Sequence, residues 1–120
     1  MERKRDAMDL KILLKNYYSL AKIDIKEDTY DLYFNMIQEM KGDMERIGIR
    51  ILGEKIAFIL KKSGNVKSKL VKILEEELKK DDDNLMYRMI GSSDDFSAEY
   101  SKNVERIEDL LNGIKTEAVR

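Results

Sequence analysis

Apolar positions recur at helix spacing along nearly the whole chain. Leu10, Leu13, Leu14, Tyr17 and Ala21 predict a first helix over about residues 5–22. Tyr30, Tyr33, Phe34, Ile37 and Met40 repeat the pattern, with Asp28 or Thr29 as N-cap. Gly42 and Asp43 mark a bend or a break. Ile47 to Leu60 is apolar nearly all round, which places a helix in the middle of a bundle, with Arg50 and Glu54 paired on its narrow polar edge. The alternation of Ile47, Ile49 and Ile51 also fits a short strand, but no partner strand is evident elsewhere.

Ser63-Gly64-Asn65 is a stop and turn. Val66, Leu70, Ile73, Leu74 and Leu78 then define a helix that runs out in Lys79-Lys80-Asp81-Asp82-Asp83. A short helix around Leu85 to Ile90 follows, then Gly91-Ser92-Ser93 as turn and cap. Phe96, Tyr100, Val104, Ile107, Leu111 and Ile114 give the cleanest stripe; Gly113 in its final turn is expected to mark fraying. Residues 116–120 are expected to form a disordered tail. The expectation is an all-α, single-domain bundle of about five to six helices spanning residues 1–120, without repeat or linker.

Composition sharpens this picture. Proline is absent, which favours long helices joined by short turns. Cysteine is absent too, excluding disulfides and thiolate chemistry. There is no histidine, which removes the commonest general base near neutral pH and the commonest nitrogen ligand of transition metals. No stretch has the length of a membrane span, and Asp6, Asp9 and Lys11 interrupt any signal-peptide core, so a cytoplasmic location is expected.

Charge is unevenly spread. From Arg46 to Lys72 there are eight basic residues (Arg46, Arg50, Lys55, Lys61, Lys62, Lys67, Lys69, Lys72) against one acid, Glu54. That local net charge of +7 sits in a chain whose total is −1. A clustered basic face attracts polyanions, whereas mixed charge only solubilises. Lys67, Lys69 and Lys72 fall in the early turns of their helix, where the macrodipole is already positive. With the Ser63-Gly64-Asn65 turn they would suit a phosphate; the alternative is a solvated lysine face. No Gly-rich phosphate loop accompanies them.

The aromatic residues are weaker evidence. Tyr17, Tyr30 and Tyr33 fit the apolar stripe and are expected in the core, while Tyr18 and Tyr87 are better placed for exposure. Glu75 with Lys79 and Glu76 with Lys80 read as surface pairs, and Asp94 and Asp95 as a helix first turn. Glu105 and Glu108 have the Glu-x-x-Glu spacing of all-helical magnesium pyrophosphohydrolases, but no second motif follows, so no metal or other cofactor is expected.

The run from Tyr33 through Lys62 resembles the small subunit of CRISPR type III-B (Cmr) effector complexes. Tyr33 precedes the Gly48-Ile49 step, Ala57-Phe58-Ile59-Leu60-Lys61-Lys62 forms the following apolar run, and Asp95, Tyr100, Glu105 and Leu111 echo the final helix. The family's proline falls near Lys41, and Asn112-Gly113 replaces its tryptophan-leucine-lysine. The resemblance implies a non-catalytic bundle that stacks with copies of itself and with other effector subunits on guide RNA and target RNA, with no membrane and no small-molecule substrate. The small subunits of type III-A and type I-A effectors are close competitors. Charge clustering, not a family motif, nominates Arg46, Arg50, Lys61, Lys62, Lys67, Lys69 and Lys72 for the phosphate contacts. A helical interaction module without nucleic acid, and a magnesium-dependent hydrolase, are the other two readings.

Overall fold

The most apolar segment becomes the central helix. In a computed structural model describing residues 2–20, 34–91 and 95–116, six helices follow in order: α1 (Glu2–Leu20), α2 (Phe34–Glu39), α3 (Met44–Ile59), α4 (Gly64–Lys79), α5 (Leu85–Arg88) and α6 (Phe96–Lys115). No strand occurs among the described residues, and the fold is an all-α bundle. The shortest dimension is 22 Å, about two helices thick. No described helix is long and apolar enough to cross a membrane.

α3 buries Ile47, Gly48, Ile49, Ile51, Gly53, Glu54 and Ala57, so it is covered on nearly every side over its first three turns. Two glycines let its neighbours come close. A Cβ on Gly48 would lie 2.9 Å from the Cβ of Tyr18 on α1. On the α6 side, Gly53 meets Gly113: a Cβ at Gly53 would stand 2.5 Å from the Leu110 carbonyl oxygen, and one at Gly113 2.4 Å from that of Arg50. Gly113 is therefore the point where two helix backbones touch, not a fraying end. Tyr18, expected to be exposed, is half-buried for the corresponding reason on the other face.

Starts and stops follow local chemistry. Lys41 (φ 54°) and Gly42 (φ 74°) turn left-handed to end α2, the Gly42 amide donating to the Ile37 carbonyl at 3.0 Å. Asp43 then caps α3 by accepting from the Arg46 amide, and Asp95 caps α6 by accepting from Ala98. The turn expected at 63–65 begins α4, with Ser63 as N-cap. The predicted second helix is described only from Phe34 onward. Its N-cap, Tyr30 and Tyr33, the turn at Ser92-Ser93 and most of the 116–120 tail lie outside the described residues.

The main core joins Leu14 of α1, Ile49 of α3, Leu74 of α4, Met86 of α5 and Ile107, Leu111 and Ile114 of α6. A smaller cluster gathers Met36 and Met40 with Ile47 and Ile51. The register of α1 differs from expectation. Its inward face runs Ala7, Lys11, Leu14, whereas Ile12 and Leu13 face outward. Lys11 can be buried because Glu99 of α6 meets its ammonium at 3.0 Å.

Candidate nucleic-acid interface

The seven basic residues nominated by charge clustering separate into two groups. Arg46 and Arg50 lie on α3 where it crosses α6. Arg46 grips Asp109 with both prongs of its guanidinium, Nε to Oδ2 at 3.0 Å and Nη2 to Oδ1 at 3.1 Å, and lies 3.7 Å from Glu105. Its hydrogen bond to the Asp109 carboxylate raises its pKa further, outweighing partial burial. Arg50 donates from Nη2 to Thr116 Oγ1 at 3.2 Å, and its buried Nε has no hydrogen-bond partner. Both side chains thus clasp α6 on either side of Gly113. Glu54, expected on an exposed polar edge, is buried.

Lys61, Lys62, Lys67, Lys69 and Lys72 form the second group. The first two occupy the turn after α3, and the other three follow in the first nine residues of α4. Lys67 is half-buried and the other four are exposed. None of the five makes an ion pair among the described residues. α4 faces inward through Leu70, Val71, Leu74 and Leu78 toward α5 and α6, so its lysines occupy the remaining face. Lys67 and Lys72 also line an open depression of about 410 Å³ with Glu75 and Lys115. There Lys115 reaches Glu75 at 3.5 Å, while Lys67 and Lys72 line the same depression without an ion pair among the described residues.

Large apolar side chains lie among these lysines. Phe58 and Ile59 at the end of α3, and Val66 and Ile73 on α4, are all more than half exposed. The surface is therefore cationic and apolar together, a mixture that charge counting did not reveal.

The acidic side of the molecule differs from expectation as well. Glu75 reaches across to Lys115 instead of pairing with Lys79, and Lys80 pairs with Glu77 at 3.0 Å instead of Glu76. Glu77 also takes Arg88 and accepts from the Leu85 amide at 2.7 Å, which fixes the start of α5. Glu105 stands beside Arg46, and no group of three or more carboxylates is placed to hold a metal ion among the described residues.

Sequence reading missed a buried polar network. Arg106, only 3% exposed, donates to Glu45 at 3.1 Å, Glu99 at 2.7 Å and Asn103 Oδ1 at 2.6 Å. Asn103 in turn donates to the Met86 carbonyl. The only sequence signal is that Asn103 and Arg106 sit within the apolar stripe of α6. Comparison with models of known protein families, with curated proteins and with solved structures finds no match for this chain.

Proposed function

We propose that the chain is a non-catalytic helical subunit that holds RNA by its phosphates through Lys61, Lys62, Lys67, Lys69 and Lys72. The observation that carries this reading is the contrast between the two basic groups. Arg46 and Arg50 are engaged with α6, whereas the five lysines stay open on consecutive segments with no carboxylate partner. A cluster of five unpaired ammonium groups suits phosphate contact, which is sequence-independent and needs only such groups. In its sharper form the protein is a small subunit of a type III RNA-guided effector, packed beside copies of itself and larger subunits. That form rests on the resemblance of the 33–62 run.

The test is charge reversal of Lys61, Lys62, Lys67 and Lys69 to Glu in one variant. RNA association, followed by fluorescence anisotropy, is expected to disappear while helical circular dichroism is retained. Unchanged RNA affinity in a folded variant would remove the lysine face as the contact surface. Purification from the native host decides the sharper form: short repeat-derived RNAs with several larger proteins support it, and recovery without RNA refutes it.

One observation favours a second reading. Phe58, Ile59, Val66 and Ile73 expose apolar surface on the same elements, which suits a protein partner with no role for RNA. Phe58→Ser with Ile59→Ser would then abolish partner capture, whereas under the first reading RNA affinity survives that change.

A further inference from the structure

The two ends of α4 have opposite chemistry. Lys67, Lys69 and Lys72 lie in its first nine residues; its C-terminal end, about 24 Å from its start for a helix of 16 residues, carries Lys79 and Lys80 and opens on a groove of about 580 Å³. Three aromatic rings, Tyr87, Phe96 and Tyr100, line this groove together with Asp81, Asp82 and Asp83. Phe96 and Tyr100 stack with centroids 6.0 Å apart, and Tyr87 meets Phe96 edge-on at 5.8 Å. Yet Tyr87 and Phe96 remain 50% and 54% exposed, so the rings present surface outward.

The groove is held by the same groups that fix the junction between α4 and α5. Asn84, fully buried, donates to the Tyr100 hydroxyl at 2.7 Å and to the Lys80 carbonyl at 2.8 Å, and accepts from the Tyr87 amide at 2.9 Å. One side chain thereby positions two of the three rings. Asp83 adopts a left-handed backbone (φ 44°), held by Arg88 donating to its carbonyl at 2.8 Å. Arg88 is further committed to Glu77 at 3.3 Å. Asp81 and Asp82 line the groove without an ion pair among the described residues, whereas the Asp83 carboxylate lies 3.5 Å from Arg88.

We propose that this groove docks an arginine-rich segment of a partner protein. Aromatic faces carry a negative quadrupole that attracts cations, and a planar guanidinium can stack on a ring while its N–H groups reach a carboxylate. Nucleic acid and anionic lipid are repelled by the unpaired carboxylates of Asp81 and Asp82. A purely apolar helix would strip water from Asp81 and Asp82 and give them no hydrogen bond in return. Charge complementarity thus selects a basic occupant, and the rings favour arginine over lysine.

The test titrates the full chain with a labelled hexa-arginine peptide, using hexa-lysine and hexa-glutamate peptides for comparison. Saturable binding is expected for hexa-arginine, weaker binding for hexa-lysine and none for hexa-glutamate. Tyr87→Leu and Phe96→Leu keep apolar bulk but remove the rings, and each is expected to weaken binding about two- to fivefold. Asp81→Asn with Asp82→Asn is expected to weaken it by a similar factor per charge. Circular dichroism checks that these exposed substitutions leave the helices intact. Absence of saturable binding overturns the proposal. So does a loss confined to the aspartate variant, which would mean diffuse attraction to an acidic stretch. Peptide-free self-association in sedimentation, abolished by the same aspartate variant, would give the groove to a second copy instead. RNA affinity is expected to be unaffected by every groove variant, so this proposal and the lysine-face reading fail separately.

Discussion

Single atoms decide the sign of a substitution at the glycines. Gly113 lies in the last turn of α6 with a helical backbone, where alanine would ordinarily add up to about 0.5–1 kcal/mol of stability. Here its added methyl carbon would meet the Arg50 carbonyl oxygen and the Gly53 backbone. Overpacking of that kind costs about 1–3 kcal/mol, so the collision outweighs the propensity gain. Gly113→Ala is therefore expected to lower the urea midpoint. Gly64→Ala, at the start of α4 with nothing within 4 Å of a new Cβ, is expected to raise it through a stability gain of about 0.4–1 kcal/mol. Equal and opposite-to-expected shifts, with Gly113→Ala stabilising, would show that α3 and α6 do not touch there. Nothing beside Gly113 in the chain hints at this role, because its partner Gly53 is remote in sequence. That is why a helix-end glycine read alone suggests fraying.

Elements were legible where their own residues determine them. Helix spacing and the breaks at Gly42 and Ser63 are local, and the structure has helices and boundaries in those places, whereas Asp95, read as part of the first turn of the last helix, is its N-cap. The inward face of α1 was not legible. Lys11 looks like a surface residue until Glu99, from the far end of the chain, is placed beside it. Likewise Arg46 and Arg50 looked like members of the cationic face until Asp109 and Thr116 came within reach. The Lys11, Glu45, Glu99 and Arg106 network ties α1, α3 and α6 together, and it predicts a pH response. Burial alone would raise the Glu99 pKa, but hydrogen bonds from Arg106 and Lys11 outweigh it and hold the carboxyl below its ordinary value of 4.5. A depressed folded-state pKa contributes stability above the unfolded-state value, and this contribution is lost as pH falls through the folded-state value. Wild-type stability is thus expected to fall as pH drops below about 4.5. Glu99→Gln should be less stable at pH 7 and show a shallower acid limb in urea unfolding. Parallel acid limbs for the two proteins would exclude Glu99 as a contributor.

At the scale of the molecule, charge is sorted along α4, with open lysines near its start and aspartates beyond its end. If the five lysines each neutralise one phosphate of single-stranded RNA, log K should fall against log salt with a slope near about −3.5. A slope close to zero would mean that the exposed apolar residues, not the lysines, hold the ligand. The central placement of α3 has a different kind of consequence, one of timing. Its apolar circumference is complete once Ile59 has been added, yet α6, which covers one side of it, is finished only at Lys115. At roughly 5–20 residues per second, synthesis leaves that surface uncovered for about 3 to 11 seconds. During that interval α1 and α2 can already cover their side of the helix, but the side around Gly53 that α6 will occupy stays open to solvent and to other chains.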